Sequence, residues 1–265
     1  MKLAVSNIAW IKENDREVYG LMKEYGYSGL EIAPTRIFPQ TPYEKVQEAE
    51  KWSMELNQNY GFTIPSMQSI WFGRKERMFF SKEERRILFD YTKKAIDFAA
   101  VIGCKNLVFG CPYNRNCPEE ADKNKAIAFF KELGDYAQSK GTVIGMEANP
   151  VIYNTNYIND TISALELIQE VNSKGFLLNL DTGTMIQNKE PMSELTGYVH
   201  YINHVHISEP DLKTIERRDL HKELKAVLME EGYLGFISVE MGKMDEMPVI
   251  KDTLLYVREV FGDDL

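Results

Sequence analysis

Tyr201–Pro210 reads YINHVHISEP, and the alternation of its side chains decides the fold. In a strand, successive side chains point to opposite faces. Ile202, His204, His206 and Ser208 then share one face, and Asn203, Val205 and Ile207 the other. A buried strand of a parallel sheet normally reads apolar on both faces. Here one face is apolar and the other carries two histidines. Three further stretches, GMEANP, LNLDTGT and ISVEMG, show the same reversal. Each puts one carboxylate near its C-terminal end: Glu147, Asp181 and Glu240. In the first, Gly145, Glu147 and Asn149 share a face, opposed by Ile144, Met146 and Ala148. In the second, Asn179 and Asp181 oppose Leu178 and Leu180. In the third, Ser238 and Glu240 oppose Ile237, Val239 and Met241.

Working outward, strand and helix signals alternate eight times along the chain. The expected strands are Lys2–Ile8, Leu30–Ala33, Phe62–Ile70, Asn106–Gly110, Thr142–Asn149, Phe176–Asp181, Ile202–Ser208 and Phe236–Met241. Helical patterns separate them. Pro42–Tyr60 is stopped at Gly61. Ser81 followed by Glu84 reads as a capping box that opens the next helix. Pro118–Lys140, Asn159–Asn172, a weaker Met192–Val199, Leu220–Glu231 and Met247–Phe261 follow. Eight such units in 265 residues predict an α/β protein, a (β/α)8 TIM barrel, as a single domain over residues 1–265. A doubly wound sheet would need a glycine-rich turn after its first strand. Asn7, Ile8, Ala9 and Trp10 stand there instead.

In a barrel one face of each strand looks at the axis, and the active site gathers at the C-terminal rim. Glu147, Asp181, His206 and Glu240 come from four successive units, at one level. Three carboxylates without a cation repel one another strongly in a cavity. A divalent ion resolves that, so these four residues are expected to bind one metal. Three oxygens and an imidazole form a fairly hard set suited to Mn²⁺ or Mg²⁺, with Co²⁺ or Zn²⁺ as alternatives. The competing reading is four structural acids and bases neutralised by Lys or Arg, but those inner faces carry neither. His204, one layer below His206, is expected to be a hydrogen-bonded core histidine. Glu31 and Gln68 face inward on the second and third strands as substrate or supporting groups, and Asn149 faces the same axis as Glu147.

Composition narrows the partners. The net charge of −9 argues against a nucleic-acid surface, which needs clustered Lys and Arg. No apolar run approaches the length of a membrane span. The polar residues close behind MKLAVSNIAW argue against a signal peptide. Cys104, Cys111 and Cys117 form no CxxC pair and read as reduced thiols, so a cytoplasmic location is expected.

With these residues in hand, the chain resembles the xylose isomerase-like barrel superfamily, in particular its sugar phosphate isomerase/epimerase branch, which includes ketose 3-epimerases. The resemblance is carried by Glu31 in GLEI, Glu147 in GMEANP, Asp181 in NLDTG, His206 in HVHISE and Glu240 in GYLGFISVEM. It implies that Glu147, Asp181, His206 and Glu240 hold the metal, and that Glu147 and Glu240 are the catalytic acid/base pair. Many relatives carry His where this chain has Thr184, His where it has Gln68, and epimerase relatives carry Arg where it has Leu212. The expected activity is a metal-dependent isomerisation or epimerisation of a ketose or sugar phosphate. The alternatives are a non-catalytic sugar-binding barrel and a dehydratase or lyase acting on inositol-like polyols. An endonuclease of this fold would need a histidine-rich metal cluster, and the chain has only 4 histidines, none before residue 200. Trp10, Trp71 and Phe72 are expected to wall a sugar face, and Arg217 or His221 to hold a hydroxyl or phosphate. A homo-oligomer is compatible with the sequence.

Overall fold

The computed structural model describes residues 1–262. Seven strands lie parallel in one sheet, ordered β2-β1-β7-β6-β5-β4-β3. In chain order they are β1 (Lys2–Ser6), β2 (Gly29–Glu31), β3 (Leu107–Phe109), β4 (Ile144–Met146), β5 (Phe176–Asp181), β6 (Ile202–Ile207) and β7 (Phe236–Val239). The helices are α1 (Asp15–Glu24), α2 (Pro34–Ile37), α3 (Val46–Tyr60), α4 (Lys82–Val101), α5 (Asn124–Ser139), α6 (Thr161–Val171), α7 (Thr182–Asn188), α8 (Asp219–Glu230) and α9 (Met247–Phe261). This is a TIM barrel.

The expected strand over Phe62–Ile70 is not regular. It closes the barrel between β2 and β3 through isolated bridges, Gly29↔Thr63, Ile32↔Met67 and Met67↔Leu107. Leu30 and Ile32 donate to the carbonyls of Thr63 and Ser66, and Val108 donates to that of Met67. Pro65 explains the interruption, since it has no N–H to give to a ladder. Expected strands five to eight are therefore β4 to β7.

The expected starts and stops hold at α3 and α4. Gly61 ends α3 in the left-handed region, φ 76°, with its N–H on the Asn57 carbonyl. Ser81 caps α4 by accepting from the Glu84 N–H. Two expectations shift. The helix expected from Pro118 begins at Asn124, because Pro118–Ala121 and Asp122–Asn124 form turns first. The helix expected over Met192–Val199 is only a 3₁₀ turn at Met192–Leu195, whereas α7, directly after Asp181, was not anticipated.

Between sheet and helices lies an apolar shell. Phe130 of α5 stacks on Phe176 at 4.7 Å and meets Phe109 edge-on at 4.9 Å. Burying a side chain of this kind is worth about 1.5–3 kcal/mol. The axis of the barrel is filled differently. Asn106 donates to Ser66 Oγ and to Asn179 Oδ1, and Asn203 donates to Asn106 Oδ1. The last bond corrects the sequence reading of β6. The register shifts between β5 and β6, pairing Leu178 with Ile202 but Asn179 with His204. Asn203 is the extra residue, and its side chain joins the polar axis. Ile202 shares the side of the outward-facing Leu178.

Candidate metal centre and active site

Four adjacent strands deliver the site. Glu147 follows the last residue of β4, Asp181 ends β5, His206 lies in β6, and Glu240 follows β7. The pairing Asp181↔His206 and His206↔Ser238 sets them at neighbouring levels. One ligand atom from each of the four lies within 4.8 Å of the others, so the group could hold a metal ion. His206 Nδ1 is 2.9 Å from Glu147 Oε1 and 3.1 Å from Glu240 Oε2.

Each member is held from behind. Asn179 Nδ2 donates to Glu147 Oε1 at 2.9 Å, and Asn149 Nδ2 to Glu147 Oε2 at 3.2 Å. Gly110 leaves room for that carboxylate, since a Cβ there would stand 2.7 Å from Glu147 Oε2. Asp181 caps α7, accepting from the Thr184 N–H and hydroxyl, both at 2.8 Å, and from the Ser208 hydroxyl. Thr184 is buried, and its single hydroxyl proton is shared between two acceptors, Asp181 Oδ2 and the Ala148 carbonyl at 2.9 Å, so the hydroxyl is occupied inside the protein.

The electrostatics report crowding. Burial pushes Glu240 up to about 7, helped by Glu147 and Asp181 and opposed by His206. Burial and the Glu147 charge also raise Asp181, against the hydrogen bonds from Ser208 and Thr184. His206 moves the other way: burial works to lower it, but Glu240, Glu31 and Glu147 outweigh that and hold it well above the usual histidine range. The buried Arg115 guanidinium donates to the main-chain carbonyl of Glu147, but among the described residues no Lys or Arg forms an ion pair with the carboxylates of Glu147, Asp181 or Glu240. A divalent cation would supply the missing positive charge, and a hard oxygen-rich set accepts one at about 2.0–2.6 Å. The residues present therefore fit such an ion.

The centre opens into a cavity of about 180 Å³. Gln68, Asn149, Tyr153, Ser208, Glu209 and Leu212 are among its lining residues, with Glu147, Asp181 and Glu240. No Lys or Arg lines it among the described residues. Glu209 faces it but is neutralised from outside by Arg218, which donates to both carboxylate oxygens. Tyr153 and Glu209 were not anticipated. Tyr153 ends a 3₁₀ turn, Val151–Tyr153, and Glu209 lies in the loop after β6, where no strand alternation marks direction. Asn179 was readable, two positions before Asp181 on one face.

Several expected substrate contacts lie elsewhere. Glu31 is fully buried beneath the centre, with Oε2 2.9 Å from His206 Nε2 and 3.0 Å from His204 Nε2. The second contact has hydrogen-bond length but a poor angle. Burial works to raise Glu31, yet His206 and His204 outweigh it and hold the carboxyl well below its usual range. Gln68 lines the cavity while donating to Ser6 Oγ and Glu31 Oε1. Trp10 is buried, its indole N–H on Asp15 and the Arg36 guanidinium over its ring. Trp71 is buried against Phe109 with its N–H on Thr92 Oγ1. Neither indole lines the cavity, and each N–H is already paired with a residue that does not line it. Phe72 is 68% exposed and lines a separate groove with Trp10. Arg217 pairs with Asp252 and Glu259 of α9, and His221 is buried against Tyr256 of that same helix, both away from the mouth.

The sequence profile of a family described as xylose isomerase-like TIM barrel matches residues 20–260. L-ribulose 3-epimerase from Methylomonas sp. (strain DH-1) is 26% identical over 178 residues, which are 64% of this chain and 62% of that protein. The match thus spans less than two thirds of that curated relative's length. Among solved structures, the apo form of 3-keto-D-glucoside 4-epimerase YcjR from E. coli is similar with a TM-score of 0.77 at 21% identity, covering 98% of this chain and 99% of that one. D-psicose 3-epimerase from Clostridium cellulolyticum H10, solved with D-tagatose, gives 0.78 at 14% identity, again over 98% and 99%. At such identities these two bear on the fold alone. The profile covers most of the chain, and on that ground the chain belongs to the xylose isomerase-like TIM barrel family.

Proposed function

We propose that this protein is a divalent-metal-dependent isomerase or epimerase of a small ketose, with Glu147 and Glu240 as the proton-transfer pair. The observation that carries the reading is the convergence of three carboxylates and one imidazole at the C-terminal rim, on a cavity without a basic side chain. The L-ribulose 3-epimerase relative supports the reaction class. Mn²⁺ or Mg²⁺ is the ion we favour, from the oxygen-rich donor set. We place the protein in the cytoplasm and treat residues 1–265 as one domain, of which residues 263–265 lie outside the described ones.

The ion, when bound, supplies a Lewis acid that polarises a ketose carbonyl and so acidifies the neighbouring C–H. The chain's own groups do the rest. Glu240 follows β7 and lines the cavity, where a carboxylate can take up and return a proton. Glu147 faces the same cavity, fixed by Asn179 and Asn149. If one glutamate removes the proton and the other returns it from the opposite face, the product is an epimer. If the proton is taken from C1 and returned to C2, while the hydroxyl proton passes from O1 to O2, the product is an aldose. Asn149 and Gln68 are placed to orient hydroxyls. A cavity rimmed by carboxylates, with no Lys or Arg, favours a neutral sugar over a phosphorylated one.

The test is exchange. Mn²⁺-loaded protein is incubated in D₂O with a panel of free ketoses and their phosphates. Solvent deuterium should enter a carbon next to the carbonyl of at least one free ketose. Absence of exchange across a broad panel would sink the reading.

A further inference from the structure

We infer that Glu31, sealed beneath the cavity, is the positioning residue that sets which ring nitrogen of His206 faces the metal centre; this rests on the metal-centre reading above. An imidazole can offer only one unprotonated nitrogen, and the hydrogen bond made by the other selects it. His206 Nδ1 lies among the carboxylates, 2.9 Å from Glu147 and 3.1 Å from Glu240. Its Nε2 points to the barrel floor, 2.9 Å from Glu31 Oε2. A carboxylate accepts and does not donate, so Glu31 holds a proton on Nε2; at Nδ1, where Glu147 and Glu240 are acceptors too, a bound cation would take the place of the proton and meet the ring through that nitrogen.

Glu31 is itself held on several sides. Oε1 accepts from Gln68 Nε2 at 3.1 Å, and that amide also donates to Ser6 Oγ at 2.7 Å. His204 Nε2 stands 3.0 Å from Oε2. The β1–β2 register sets Ser6 opposite Glu31, so the floor is assembled at one level. Glu31 is fully buried and does not line the cavity, which excludes contact with substrate. A buried carboxylate whose partners are histidines, with no Lys or Arg, is a poor device for stability alone. It is the usual device for orienting a metal-binding histidine.

The experiment measures Mn²⁺ affinity by calorimetry for the wild type, Glu31→Gln and Glu31→Asp, alongside the Tm of each metal-free protein. Outer partners of this kind change metal affinity by about 10–100-fold. Glu31→Gln should weaken Mn²⁺ binding by that factor, and Glu31→Asp should recover part of it. Unchanged affinity in a folded Glu31→Gln protein overturns the inference while leaving the centre intact. A wild type that binds no Mn²⁺ overturns the centre as well. A second readout needs no variant: ¹⁵N spectra of the Mg²⁺- or Zn²⁺-loaded wild type should show His206 protonated at Nε2. A proton on Nδ1 overturns the inference.

Discussion

Glu240 is the residue on which the proposed chemistry turns. It follows a strand whose outward side chains, Ile237 and Val239, are fully buried, and the next inward position belongs to a carboxylate. Glu240→Gln keeps size and removes the base. Deuterium exchange should fall by about 10²–10⁴-fold, while calorimetry should still detect Mn²⁺. A barrel that only bound sugars would keep its ligand affinity in the same variant. The inward acids and His206 were legible because a polar group breaks an apolar alternation. Trp10 and Trp71 were not. An aromatic in a loop has no period to give its direction, and both indoles turn away to bond Asp15 and Thr92.

At the scale of elements, two departures have local causes that the sequence carries and two do not. Pro65 interrupts the third strand, and Asp181 can cap α7 because a carboxylate ends β5 where a helix begins. The extra residue Asn203 and the burial of His221 depend on partners far along the chain. His221 on α8 packs against α9, with Nδ1 2.8 Å from Tyr256 Oη. Burial, with Arg218 nearby, depresses it to about 4. The folded form resists protonation that the unfolded chain accepts near 6.5. The stabilising contribution is therefore complete above about 6.5 and is lost as pH falls towards about 4. The fall from 6.5 to about 4 corresponds to roughly 3 kcal/mol at about 1.36 kcal/mol per pKa unit. Urea denaturation at pH 7 and pH 4.5 should show the wild type losing its advantage over His221→Gln by up to that amount. A constant difference across this range would contradict the assignment.

For the whole molecule, a cation at the proposed metal centre would tie folding to ligand. Its carboxylates come from β4, β5 and β7, and its imidazole from β6, so a cation bound there is bound only by the closed barrel. At a hundred times Kd, Mn²⁺ should add about 2.7 kcal/mol, seen as a Tm rise of several degrees that EDTA reverses. Asp181→Asn should abolish most of that rise. Among the described residues no helix is long and apolar enough to cross a membrane. What the sequence determined by itself was the repeated unit, the closed α/β architecture and the four inward groups, because side-chain period and burial are properties of each strand alone. Which groups meet the cavity and which support from below was decided only by the tertiary structure. Tyr153 and Glu209 acquire their roles, and Glu31 its contact with His206, through distances between strands and loops that no local pattern encodes. The register shift at Asn203, the clamp of Arg218 on Glu209 and the bond from Glu31 to His206 all belong to that class.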